Sequence, residues 1–288
     1  EIGSGLVGSE MCIRDSNNIL CQNSRLLLKQ ILEDAGLAVE FHSEQMPNVE
    51  NCPLLGMELS RFDYIIAEAG YRLVAEQVLR NFPGEVILFG DDEFVFGPWH
   101  QVFFDYRPGM RKALEHLMKM GFRKALVVGV PTLSTSQHRY TALCEMADQC
   151  GFGSANLAFP VPEEYFFHLP VLCGREYGKL FLKEFKCDTA IFSLSDHLTV
   201  GVLDVLYEHG LKPGRDVQLI SYDNFLSNVP EFKERFFCNA VTHPLSCEFR
   251  AIVKLMSEIH LAPNPDFYRS IVVPAQEFIV RTDGPRAR

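Results

Sequence analysis

A few polar side chains stand where they could hold a small hydroxylated ligand. Arg139 falls in the first turn of a helix-period segment, after the polar run Ser134-Thr135-Ser136-Gln137. A guanidinium there offers a planar fork to vicinal hydroxyls or to a carboxylate, although a helix-surface arginine gives the same pattern. Asp223 lies at the end of the strand-like run from Val217, where a carboxylate can accept two sugar hydroxyls. Ser195 and Asp196 follow the run Ala190-Ile191-Phe192-Ser193. Ser195 can assist at a ligand, whereas Asp196 is placed to cap the next helix. Asp91 opens the acidic run Asp91-Asp92-Glu93, which suits Mg²⁺, hydroxyls or plain solvation. Trp99, Phe104, Tyr165 and Phe166 could stack on the apolar face of a sugar, although core or loop packing is the commoner role for each taken singly.

Bond-making chemistry finds less support. The segment from Gly174 to Gly178-Lys179-Leu180 is one residue short of a phosphate loop and has leucine where a Mg²⁺-binding hydroxyl belongs, so it reads as an ordinary helix start. Beyond residues 3–8, whose glycine spacing alone is a weak signal, no Gly-x-Gly-x-x-Gly occurs, and Gly-x-Ser-x-Gly is absent throughout. The 9 histidines include no His-x-x-x-His pair, so neither a metal site nor a cofactor is expected. The 9 cysteines are an odd number without a Cys-x-x-Cys pair, which suggests reduced thiols in a cytoplasmic protein.

The 288 residues are 47% hydrophobic and 22% charged, the balance of a folded chain. A formal charge of -10 repels polyanions, so these residues should not grip nucleic acid through its phosphates. No run approaches the roughly 20 apolar residues of a membrane-spanning helix. Leu6 to Ser16 corresponds codon for codon to the translation of a sequencing-library adapter with its transposon end. Residues 1–16 are therefore expected to be non-native, with natural sequence starting near Asn17. The adapter stretch has no apolar core of a signal peptide.

The elements that must position these side chains alternate. Helix-period and strand-like segments succeed one another: Arg25 to Ala35, Leu37 to Phe41, Asp63 to Ala67, Tyr71 to Asn81, Glu85 to Phe89 and Gln101 to Phe104. The pattern restarts with helix Gly109 to Met120, strand Lys124 to Val130, helix Ser136 to Gln149 and a strand near Asn156 to Phe159. Helix Gly174 to Phe185, strand Thr189 to Ser193, helix Asp196 to His209 and strand Val217 to Tyr222 complete it. Short apolar strands between helices predict α/β architecture with parallel sheets, here two doubly wound lobes. A tail with helix Cys247 to His260 and strands Ser270 to Val273 and Glu277 to Val280 implies a return to the first lobe and a second crossing. Such sheets bind ligands at the carboxyl ends of their strands, making a cleft between lobes the default site.

The stretch Thr189 to Asn224 resembles the effector domain of the LacI/GalR family of transcriptional regulators. It carries Ser195-Asp196, a glycine-containing helix, Gly210-Leu211, Pro213-Gly214-Arg215-Asp216-Val217 and Tyr222-Asp223-Asn224 in the family's order. Phe104-Asp105-Tyr106-Arg107-Pro108-Gly109, Glu115-His116-Leu117 and Gly121-Phe122-Arg123-Lys124 extend the likeness. Thr242-His243-Pro244 is similar to the family's crossing strand, and Val273 to Arg281 to its closing strand. Ser195 replaces a frequent asparagine, Ala142 a usual glycine, and Gly90-Asp91 stand where an aspartate commonly meets the sugar, so the identity of the ligand does not transfer.

The resemblance implies two periplasmic-binding-protein-like (type I) lobes joined by crossing strands. Residues 17–104 plus about 241–268 would form the first, without its first strand, and 105–240 plus about 269–283 the second. It implies a small sugar-like effector bound in the interlobe cleft, with Arg139, Asp223, Ser195, Asp91, His243, Phe104 and Tyr165 as ligand-binding candidates. A homodimer would meet operator DNA only through a missing N-terminal head, with no membrane partner and no catalysis. Two alternatives stay open: a solute-binding protein of a sugar transport system, and an enzyme on the same fold.

Overall fold

The computed structural model describes residues 5–8, 19–42, 58–68, 82–90, 97–162, 169–185, 188–229, 232, 236, 238–242, 245–264, 267–275 and 277–281. Along the chain come β1 (Gly5–Gly8), α1 (Ile19–Asp34), β2 (Val39–His42), β3 (Tyr64–Glu68), β4 (Glu85–Gly90) and β5 (His100–Asp105). Next are α2 (Arg107–Lys119), β6 (Lys124–Val128), α3 (Ser134–Cys150), β7 (Leu157–Ala158), α4 (Pro170–Glu184), β8 (Thr189–Ser193) and α5 (Asp196–Glu208). The last elements are β9 (Leu219–Asp223), β10 (Asn239–Thr242), α6 (Leu245–Leu261), β11 (Ser270–Pro274) and β12 (Phe278–Ile279). The expected helix Tyr71 to Asn81 lies outside the described residues.

The chain divides into two compact units, residues 1–104 with 244–273 and residues 105–243 with 274–288, so it passes between them at three points. The returns fall a few residues beyond those suggested by the sequence. The first unit holds a sheet in the order β11-β5-β4-β3-β1-β2, in which β1, β2, β3, β4 and β5 pair in parallel. The second unit holds the order β12-β10-β9-β8-β6-β7, parallel except where β12 meets β10.

The position of a first strand is taken by Gly5–Gly8, which lies between β2 and β3 and pairs in parallel with both. Backbone N–H and C=O groups carry a parallel ladder, so a four-residue segment completes the sheet whatever its codons resemble.

Burial follows the apolar runs. Every residue of β8 and β9 is buried, as expected for strands covered on both faces. In the first unit Trp99 packs with Phe62, Ile65, Val86 and Leu88, which makes it a core residue rather than a ligand platform. Gly151, at φ 82, takes the left-handed position that ends α3.

The Gly174 segment turns out to be a packing seam. Gly174 and Gly178 lie inside α4, not at its start, and abut α5. A Cβ on Gly174 would fall 2.0 Å from the Leu198 carbonyl oxygen, and one on Gly201 would fall 2.0 Å from that of Val171. Both helices meet backbone to backbone. We expect Gly201→Ala to lower stability by about 2–3 kcal/mol, since backbone cannot yield as a flexible side chain would, with the loss read as a lower urea midpoint at unchanged slope.

Candidate functional site

The carboxyl ends of β6, β8 and β9 lie side by side because these strands are adjacent and parallel. Residues just beyond each strand are therefore brought together. After β8 come Leu194 and Ser195; β9 ends on Asp223; and α3, the helix after β6, carries Arg139. The helix begins at Ser134 rather than Ser136, so Arg139 sits in its second turn. Ser136 accepts the Val130 backbone N–H at 3.1 Å, tying the helix to the end of β6.

Arg139 and Asp223 are a buried pair. Arg139 is 2% exposed and Asp223 7%. Nη2 of Arg139 stands 2.9 Å from Oδ1 of Asp223, while Nη1 donates to Oδ2 at 3.1 Å and to the Leu194 carbonyl at 2.6 Å. The guanidinium carbon lies 4.3 Å from the Tyr222 ring centroid and 5.6 Å from that of Tyr106. Those rings meet edge to face at 5.5 Å. An aromatic face stabilises a cation that has lost its water, so the tyrosines help hold the charge where it is.

Asp196 does not cap α5. Ser195 occupies the N-cap position, without a side-chain cap bond, and Asp196 is the first helical residue. Its fully buried carboxylate instead accepts the Ser221 hydroxyl at 2.8 Å and the backbone N–H groups of Asn224 and Leu226 at 3.1 and 2.9 Å. Burial foremost, then neighbouring Asp223, pushes Asp196 up to about 7, and the donors act in the opposite sense. Ser195 contributes its carbonyl, which accepts the hydroxyls of Ser193 and Thr199 at 3.0 and 2.9 Å.

The turn after β9 is unusual. Asp223 and Asn224 both have positive φ, 89 and 63, a region costly for residues other than glycine. Arg281, from the segment after β12, donates to Oδ1 of Asn224 at 2.6 Å and to the Cys238 carbonyl at 2.9 Å. His197 stands beside Asp223, and burial lowers its pKa against that carboxylate's pull.

The structure thus brings together Arg139, Asp223 and Ser195. Phe104 is buried in β5, in the first unit. Asp91, His243 and Tyr165 lie outside the described residues. Reasoning from sequence missed Tyr106, Tyr222, Asn224 and Arg281. The adjacent Asp-Asn pair was a usable signal for a left-handed turn, whereas nothing local to Arg281 points to Asn224.

Among the described residues no cluster of His, Cys, Asp and Glu could hold a metal ion, and no helix is long and apolar enough to cross a membrane. Cys144, Cys150, Cys173, Cys238 and Cys247 are free thiols. Burial pushes Cys173 up to about 11 and raises Cys238 also, so neither is poised as a nucleophile.

No protein-family model matches the chain. Among solved structures, a LacI-family transcriptional regulator from Enterococcus faecium with bound ribose superposes with TM-score 0.74 at 17% identity, over 99% of this chain and 100% of that one. A dimeric Lac repressor with a C-terminal deletion gives TM-score 0.74 at 16% identity, over 99% and 100%. This chain shares the fold of these LacI-family structures. The LacI-type fold is accompanied by likeness in sequence to the lactose operon repressor of Escherichia coli, 24% identical over 127 residues, or 44% of this chain and 34% of the repressor. The PurR repressor of Actinobacillus pleuropneumoniae is 29% identical over 119 residues, or 40% of this chain and 33% of PurR. Each match spans about a third of the relative's length.

The buried carboxylates set two expectations for stability. Arg139→Ala should cost about 3–5 kcal/mol in urea unfolding, because it strands the Asp223 carboxylate in a dry site. Replacing both partners by apolar residues of similar size should recover much of that loss. For Asp196, the raised pKa means its favourable contribution is complete below about pH 4 and disappears as pH rises through about 7. The thermal midpoint of Asp196→Asn should therefore climb relative to wild type between about pH 4.5 and pH 7.5, and a constant difference would contradict the assignment.

Proposed function

We propose that the chain is the effector-sensing and dimerisation portion of a cytoplasmic LacI/GalR-like transcriptional regulator. It binds a small sugar-like effector at the carboxyl edge of the second unit's sheet and makes or breaks no covalent bond. The observation that carries this reading is the buried Arg139–Asp223 pair at that edge, beside Ser195. A desolvated, geometrically fixed guanidinium and carboxylate can offer donors and acceptors to vicinal hydroxyls, and the tyrosine backing suits an apolar ring face. Asp91, His243, Phe104 and Tyr165 are further ligand-binding candidates that rest on the sequence alone.

Support for a sugar comes from relatives of the same fold. Two regulators, from Enterococcus faecium and Enterococcus faecalis, were solved with bound ribose, at 17% identity each. The Lac repressor of that fold is dimeric, which supports a homodimer here. Operator DNA would be contacted by a separate N-terminal head, because a chain of charge -10 repels phosphates. Effector binding would favour one of two conformations in proportion to its differential affinity for them.

A second reading, a solute-binding protein of a transport system, is favoured by a protein of this fold from Alkaliphilus metalliredigens described as a periplasmic binding protein/LacI transcriptional regulator, complexed with D-xylulofuranose, with TM-score 0.67 at 16% identity. The two readings share a ligand class and differ in whether a DNA-binding head is attached, which the intact gene would reveal.

Calorimetry with D-ribose and a panel of pentoses and hexoses tests the sugar site. At least one sugar should bind with saturable heat, and Asp223→Asn should weaken it by about 1.5–3 kcal/mol, the range for hydrogen bonds to charged groups. A panel without a binder, or full affinity in the Asn variant, would overturn the proposal.

A further inference from the structure

We propose that Arg281 and Asp196 are positioning residues for Asp223. Acting from the closing tail and from the start of α5, they hold the Asp223–Asn224 pair in its left-handed backbone conformation and so aim the Asp223 carboxylate. This role deepens the effector reading and rests on it.

Two consecutive non-glycine residues at φ 89 and 63 persist only where surrounding groups over-determine them. Three segments do so here. From α5, Asp196 accepts the N–H groups of Asn224 and Leu226, one on each carboxylate oxygen. From β9, the Ser221 hydroxyl donates to the same carboxylate at 2.8 Å, which orients it. From the tail, Arg281 grips the Asn224 side chain at 2.6 Å.

Arg281 is itself fixed. Its Nη1 donates to the Cys238 carbonyl, and its backbone N–H donates to Oδ1 of Asn239, both at 2.9 Å. The residue after Asp223 is thus held by backbone and side chain at once, leaving Asp223 little freedom beyond its own rotamer, which Arg139 sets. The hydrogen bonds of Arg281 and Asp196 go to the turn and to the strands that support it, so their influence on the guanidinium passes through the turn.

The test uses the full chain, D-ribose and other sugars as probes, and amide hydrogen exchange at single-residue resolution. Arg281→Gln should speed exchange at Asn224 and Leu226 about tenfold while the amides of Ile191 and Phe192 in β8 keep their protection. It should also weaken sugar binding about tenfold, the lower end of what loss of an outer supporting group costs. Arg281→Lys, which retains a donor, should restore part of both effects, a recovery that a purely bulk packing role would not produce. Asp196→Asn, which keeps the shape but weakens acceptance, should give the same exchange signature.

Unchanged exchange at both positions in Arg281→Gln and Asp196→Asn would remove the clamp. Faster exchange with undiminished affinity would show that the clamp does not position the ligand group. If wild type takes up no sugar, the effector reading fails on its own, and the exchange data still decide whether the turn is held as described.

Discussion

The second unit is organised around a guanidinium that has given up its water. Burying Arg139 carries a desolvation cost that a single contact would not offset. The Asp223 carboxylate, the Leu194 carbonyl and the Tyr222 ring each answer one part of it. These partners come from two strand ends remote in sequence from Arg139, so the pair exists only if β6, β8 and β9 stand adjacent and parallel. The charge pair in this way links local chemistry to topology: shift one strand by a residue, and side chains exchange faces, leaving a bare ion in the interior.

The surroundings of the two neighbouring aspartates are different, although both are buried. Asp223 is answered by a full positive charge, whereas Asp196 is answered by backbone amides and a hydroxyl. Burial first, and then the Asp223 carboxylate, drive Asp196 toward neutrality, and the partial charges of its amide and hydroxyl donors offset this only in part.

Much of this architecture was legible in the order of residues. Runs such as Ala190-Ile191-Phe192 and Val217 to Ser221 are too apolar and too short for anything but strands buried on both faces, and their helices come after them at helical spacing. Arg139, Ser195 and Asp223 could be singled out because each lies at or just beyond the end of a strand, or early in the helix after one. Their mutual pairing was less accessible. Sequence places Arg139 and Asp223 at two strand ends without saying whether they face a ligand or each other. Asp196 was misread because an aspartate at a helix start satisfies capping rules, while its true partners lie 25 to 30 positions downstream. The Gly174 segment was misjudged in a similar way: a glycine reads locally as a boundary, but here it answers a neighbour brought close only by the fold.

That glycine contact between α4 and α5 has a consequence for how the domain can change. Where two helices touch through main-chain atoms, no rotamer is available to absorb displacement, so the pair should travel as one rigid block. Ser195 and Asp196 ride at the tip of that block. Any local change of shape there must then come from the loops and side chains around the tip, because the seam itself leaves no room for even a methyl group.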